Sequence, residues 1–275
     1  MNTVRINNGN DLLIRDCGNF SLAQTLDCGQ AFRWERTEDG HWRGGAASRP
    51  LELYECDDGI VLVGVSDDDF NDFWYGYFDL GRDYGSIISA ISDNEILKVA
   101  GNMSSGIRIL KQDPWEAVCS FIISQNNNIP RIKGIVRRLC ESFGESNDGF
   151  YGFPTAKRIA ALNESDLATL RCGFRARYIL DAAHKYSAGE INEDILTNGD
   201  IELARAELQK ITGVGPKVAD CALLYGYGRV DAFPRDVWIK RAMERFFDGK
   251  LPPSAEPWAG IVQQYIFVYI RSLGE

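Results

Sequence analysis

No apolar run in this 275-residue chain approaches the ~18–20 residues of a membrane-spanning helix, so the sequence predicts no transmembrane segment. Histidine is almost missing, with only His41 and His184, and none of the seven cysteines is spaced C-x-x-C from another. An odd cysteine count without that spacing argues against a disulfide framework and against a zinc site. Cys17, Cys28, Cys56, Cys119, Cys140, Cys172 and Cys221 therefore read as reduced, mostly buried thiols, and no metal centre is expected. Positive charge is not in excess either: 30 Lys+Arg face 39 Asp+Glu, a net charge of −9 that by itself argues against a nucleic-acid partner. The polar start Met1-Asn-Thr-Val-Arg-Ile6 does not read as a signal peptide.

The charge is unevenly spread. Residues 1–100 hold 8 Lys+Arg against 18 Asp+Glu, which leaves 22 against 21 in residues 101–275. The acidity belongs to the first part, and the near-neutral second part can carry local basic faces. Arg131, Lys133, Arg137 and Arg138 form one cluster, and Arg171, Arg175 and Arg177 a second; solvated helix faces would explain both equally well.

Alternating runs around turns ending in glycine mark residues 1 to about 80 as antiparallel strands. Phe32-Arg-Trp34 and His41-Trp-Arg43 flank Glu-Asp-Gly, while Leu51–Glu55 and Ile60–Val65 flank Cys-Asp-Asp-Gly. From Asp83 the period turns helical, with helices expected over Tyr84–Ile91, Asn94–Ala100 and, capped by Asp113 with Pro114 at its first position, as far as Ser124. The fold class is thus α+β, an N-terminal antiparallel β domain over residues 1–82 packed on a mainly helical region over 83–275.

The rest is organised around Leu208-Gln-Lys-Ile-Thr-Gly-Val-Gly-Pro-Lys-Val-Ala-Asp-Cys221. A helix beginning near Asp200 runs into Gly213-Val214-Gly215, two glycines able to take positive φ, and Pro216 starts a second helix. This helix-hairpin-helix, within residues 200–228, presents backbone N–H groups in a way that suits a phosphate. Lys217 lies in the first turn of the second helix, where the dipole disfavours a cation by roughly 0.3–1 kcal/mol. The same field favours the neutral, nucleophilic amine, although a solvated surface lysine is the plainer alternative. Asp236, 19 positions on in Asp231-Ala-Phe-Pro-Arg-Asp-Val-Trp238, would cap a helix over Val237–Phe247.

Together these residues resemble the signature of the helix-hairpin-helix (HhH-GPD) DNA glycosylase superfamily. The lysine resembles its bifunctional branch, and Lys-Val-Ala-Asp-Cys resembles the 8-oxoguanine DNA glycosylase/AP lyases. Further segments carry the same resemblance: Cys28-Gly-Gln-Ala-Phe-Arg-Trp34, Asn126-Asn-Asn-Ile-Pro-Arg131, Gly173-Phe-Arg-Ala-Arg-Tyr178 and the helix Trp258–Phe267.

The resemblance implies excision of 8-oxoguanine paired with cytosine in double-stranded DNA, by base flipping, a Schiff base on Lys217 with Asp236 as its electrostatic partner, and β-elimination. It implies that the Gly29 carbonyl, Cys221, Gln263 and Phe267 line the base pocket, that Asn126 fills the gap, that Phe174 wedges the duplex and that Arg131 and Arg175 read the orphaned cytosine. Gly213, Val214 and Gly215 would meet the DNA backbone. Trp238 stands where the family often has a histidine, which puts one phosphate contact in question, and the cysteine cluster that holds an iron–sulfur centre in some relatives is absent. No organic cofactor is implied, a structural cation on the hairpin carbonyls is left open, and a monomer in the nucleoid or nucleus is expected. The alternatives are a related glycosylase for another damaged base and a non-catalytic helix-hairpin-helix DNA-binding module.

Overall fold

The computed structural model describes residues 2–147 and 149–274. It is α+β, as the change of hydrophobic period predicts. The strands are β1 (Asn2–Ile6), β2 (Asp11–Arg15), β3 (Glu35–Arg36), β4 (Trp42–Ala46), β5 (Arg49–Cys56) and β6 (Gly59–Leu62). They form one sheet in the order β1-β2-β6-β5-β4-β3. Cys56 pairs with Gly59, so the second expected hairpin turns on Asp57 and Asp58. Gly59 is required there: a Cβ would stand 2.0 Å from the carbonyl oxygen of Ile14 on the neighbouring strand.

The first expected hairpin lies further along the chain than its alternation suggests, with Glu35 pairing Arg43 and Arg36 pairing Trp42. Phe32 and Trp34 are core anchors before the strand, and Trp34 is fully buried with its indole N–H donated to Tyr77 Oη at 2.8 Å. A second correction concerns residues 67–77, expected within the strands. They form consecutive helical turns over Asp67–Asp69, Phe70–Trp74 and Tyr75–Tyr77. Ser66 caps this segment by accepting from Asp69 N, and three aspartates in the first turn suit the positive end of its dipole.

The principal helices are α1 (Leu22–Leu26), α2 (Tyr84–Ala90), α3 (Glu95–Met103), α4 (Pro114–Ser124), α5 (Ile129–Phe143), α6 (Arg175–Ser187), α7 (Ile201–Leu208), α8 (Pro216–Gly226), α9 (Val237–Phe246) and α10 (Ala259–Ser272). Asn94, Asp113, Asp200 and Asp236 cap α3, α4, α7 and α9 with side-chain oxygens, the places at which the sequence starts those helices.

The chain divides into two compact units, one of residues 1–45, 50–111 and 235–275, the other of 46–49 and 112–234. The first holds most of the sheet with α1–α3, α9 and α10. Its aromatic cluster of Trp34, Trp74, Tyr77 and Phe78 is buried, and the Leu22 amide donates to Glu55 Oε1 at 2.6 Å, tying α1 to β5. The second holds α4–α8. Phe121 of α4 stacks on Tyr225 of α8 at 5.2 Å, and Gly226 admits Ala117 where a Cβ would approach to 2.9 Å.

Candidate active site and nucleic-acid interface

In the second unit, α7 and α8 form the expected hairpin. Gly213 uses its freedom, at φ +81°, and a Cβ there would lie 2.4 Å from the Tyr178 ring. Gly215 does not: it is the extended N-cap of α8 (φ −91°, ψ 177°), so only one of the two glycines takes positive φ. Having no side chain, it leaves the first-turn amides of α8 without a side-chain cap. The Val214 amide donates back to the Ile211 carbonyl at 3.0 Å, and the Thr212 amide donates to Asp181 Oδ2 at 2.7 Å, which fastens the turn to α6.

Lys217 is half-buried in the first turn of α8, with Nζ 5.4 Å from the centre of the Phe121 ring and no carboxylate partner among the described residues. Cys221 follows one turn later and is buried. Between them Asp220, 5 % exposed, accepts from Arg205 Nε at 2.8 Å and locks α8 to α7. The sequence reading assigned Asp220 no task. Its signal was a carboxylate among Val218, Ala219 and Ala222 on an otherwise apolar face.

The three consecutive asparagines divide their tasks. Asn128 caps α5, its Oδ1 accepting from the Arg131 amide at 3.0 Å, and Asn127 Nδ2 donates to the Ile123 carbonyl at the end of α4. Asn126 is exposed and left-handed at φ +47°. Arg131 is exposed and makes no ion pair among the described residues. Phe174 is 46 % exposed, its ring edge-on to Tyr178 at 5.7 Å, as an aromatic offered outward would be. Arg175 is only 4 % exposed and donates to the carbonyls of Gln125, Asn126 and Cys172. Burial, and the nearby charge of Arg131, hold its guanidinium below its ordinary pKa.

In the first unit, Asp236 caps α9 through Oδ1, which accepts from the Ile239 amide at 2.8 Å; its other oxygen has no hydrogen-bond partner among the described residues. Gly29 takes φ +89° after Cys28, whose carbonyl accepts from Gln264 Nε2 of α10 at 3.2 Å. Burial pushes the Cys28 thiol up to about 12, so it stays protonated. Gln263, 4 % exposed, leaves its Oε1 without a partner among the described residues, and Phe267 is half-buried beneath Arg271. A buried, unpaired amide oxygen is costly unless something donates to it. Gln30 was also missed: fully buried, it donates to the Thr25 and Arg108 carbonyls and accepts from the Leu110 amide, bracing the segment that carries Gly29. Its marks were its place in the Cys28–Trp34 segment that carries the resemblance and its amide between Gly29 and Ala31.

Residues 119–257 match the family model of the HhH-GPD superfamily base excision DNA repair proteins, and residues 12–118 that of the 8-oxoguanine DNA glycosylase N-terminal domain. The chain belongs to the HhH-GPD superfamily. Its relatives include the N-glycosylase/DNA lyase of Saccharomyces cerevisiae, 32 % identical over 82 % of this chain and 67 % of that protein. A probable N-glycosylase/DNA lyase of Methanothermobacter thermautotrophicus is 31 % identical over 63 % of this chain. The chain spans 62 % of that second protein's length. Among solved structures, MBOgg1 in complex with a low-affinity DNA ligand is 40 % identical with a TM-score of 0.91, each chain covered in full. The Clostridium acetobutylicum 8-oxoguanine glycosylase/lyase, bound to double-stranded DNA containing cytosine opposite 8-oxoguanine, is 34 % identical with a TM-score of 0.91, over 100 % of this chain and 99 % of that one. For this HhH-GPD protein, no helix among the described residues is long and apolar enough to cross a membrane.

Proposed function

We propose that this protein is a bifunctional DNA glycosylase and AP lyase that excises 8-oxoguanine paired with cytosine in double-stranded DNA, the first step of base excision repair. The observation that carries the reading is Lys217: a half-buried lysine in the first turn of a helix, over an aromatic ring, with no carboxylate partner among the described residues. A lysine in that turn of the hairpin segment, one turn before the buried Cys221, is placed to serve as a nucleophile.

Chemistry on a stacked base requires its extrusion, at a cost of a few kcal/mol that Asn126 and the exposed Phe174 ring would offset. Lys217 Nζ, having lost a proton, attacks C1′ of the sugar, and the C1′–N9 bond breaks with its electrons leaving on the base, which takes up a proton. The unpaired oxygen of Asp236 stabilises the positive charge developing on the sugar. Opening of C1′–O4′ leaves an iminium between C1′ and Nζ; loss of a C2′ proton then expels the 3′ phosphate. Gln263 Oε1 supplies the acceptor for an N–H of the flipped base, and Gly29 a carbonyl for the N7 proton that guanine lacks. The amides at the start of α8 grip the DNA backbone.

Lys217 provides the nucleophile, so the proposed chemistry draws on no organic cofactor. A cation on the hairpin carbonyls would serve DNA affinity alone, which titration of binding with a chelator and with potassium tests. The reading also includes a monomer acting in the nucleoid or nucleus.

Borohydride trapping on a duplex with one 8-oxoguanine opposite cytosine tests it. A covalent adduct is expected with the wild type and none with Lys217→Gln. An adduct with an abasic site but none with 8-oxoguanine would retain the lyase and overturn the lesion; no adduct with either would return the chain to a DNA-binding module.

A further inference from the structure

The turn around Gly29 is fastened from both sides. After it, Gln30 is fully buried; its Nε2 donates to the carbonyls of Thr25 at 2.9 Å and Arg108 at 2.8 Å, and its Oε1 accepts from the Leu110 amide at 2.9 Å. Thr25 is bound to the same stretch, its hydroxyl donating to the Gly106 carbonyl at 2.9 Å and accepting from the Arg108 amide at 3.1 Å. Before it, Gln264 of α10, 2 % exposed, donates through Nε2 to the Cys28 carbonyl at 3.2 Å. All of these residues belong to the first compact unit.

The Cys28 carbonyl lies in the peptide plane before the Gly29 Cα, and the Gly29 carbonyl in the plane after it. Peptide planes are rigid, so the Gly29 carbonyl is aimed by where the first plane is held and by the two torsions of Gly29. Glycine at φ +89° is the residue least able to hold those torsions by itself. The hold comes from its neighbours, Gln30 on one side and Gln264 on the other. Successive residues of a helix are separated by roughly 100°, so Gln263 and Gln264 serve different faces of α10. Gln264 ties down the turn, while Gln263 keeps an Oε1 without a partner among the described residues.

We propose that Gln264 is a positioning residue for recognition of the lesion: by holding the Cys28 peptide plane against α10 it fixes the Gly29 carbonyl relative to Gln263, so that the two acceptors keep one spacing. This rests on the reading that 8-oxoguanine is held between Gly29 and α10. Gln264 acts through Cys28 and does not touch the base.

Gln264→Met keeps the length of the side chain and removes its N–H groups; Gln264→Leu is the second variant should the first not fold. In the free protein the NMR resonance of the Cys28 carbonyl carbon should move, because its donor is gone. Single-turnover excision of 8-oxoguanine opposite cytosine should fall about tenfold, the scale of one buried hydrogen bond lost, while β-elimination at a preformed abasic site keeps the wild-type rate because no base is present to be held. With Lys217→Gln added to stop the reaction, the preference in affinity for an 8-oxoguanine duplex over a guanine duplex should shrink by a similar factor. An equal fall in excision and in abasic cleavage would overturn the proposal, making Gln264 a general support of the fold. An unmoved resonance, or excision by the variant at the wild-type rate, would overturn it as well while leaving the functional reading intact. A wild type that leaves 8-oxoguanine in place overturns the functional reading itself, and this proposal with it.

Discussion

Gly213→Ala and Gly215→Ala make the same chemical change two residues apart, and the structure assigns them different outcomes. At Gly213 the new Cβ must occupy φ +81° and meets three atoms of the Tyr178 ring at 2.4, 2.5 and 2.6 Å. The left-handed backbone costs about 1–2 kcal/mol, and displacing a packed ring costs about 1–3 kcal/mol more. The sum, about 2–5 kcal/mol, is a large part of what holds a typical domain together. At Gly215 the backbone is extended and nothing lies within 4 Å of a Cβ. Alanine there loses some N-cap preference and gains by restricting the unfolded chain, two effects of about 0.5–1 kcal/mol each and of opposite sign. Urea unfolding followed by circular dichroism should place the Gly213→Ala midpoint far below that of the wild type and the Gly215→Ala midpoint beside it. Duplex binding by Gly215→Ala then isolates the grip of the α8 amides from stability. Equal midpoints for the two variants would refute the argument.

Asp220→Ala should cost about 3 kcal/mol, near the lower end for breaking a buried pair because Arg205 keeps Glu202 as a partner, and thermal unfolding measures it. Burial acts to raise the Asp79 carboxyl, but Arg82 and Lys111 outweigh it and hold it below the ordinary carboxylate range. A depressed carboxyl stabilises the fold above its unfolded pKa of about 4 and stops doing so as pH falls through its folded value, so acid titration of Asp79→Asn should show a flatter loss of stability. Asn128→Ala should lose about 1 kcal/mol with its cap. Asn126→Gly should keep its stability, since glycine takes φ +47° freely, and slow excision; equal stability losses at the two positions would contradict the division of tasks.

Helix starts were the most legible part of the sequence, because a cap is a local event. Asp113, Asp200 and Asp236 each precede a helix and each bonds an amide within it. The first hairpin was misplaced because Trp34 obeys a core whose partners, Trp74 and Tyr77, lie some forty residues away. The hairpin around Gly213 could be read from glycine and proline placement, whereas an outward Phe174 was implied only by the family resemblance. Arg175 could not. Its neighbours in sequence make it one more arginine in a basic cluster, and only the fold brings it to the carbonyls of Gln125 and Asn126.

The two compact units also differ in their continuity along the chain. Apart from residues 46–49, the second is one uninterrupted stretch, 112–234, whereas the first needs residues 235–275 to complete a core begun more than a hundred residues earlier. A ribosome releases the segments in sequence order, so all of the hairpin and its packing partners have emerged before Ile261, Val262, Tyr265 and Ile266 exist to cover the apolar surface of the sheet-bearing unit. The unit translated first is thereby the last able to finish folding, because α9 and α10, which complete it, are released after everything else.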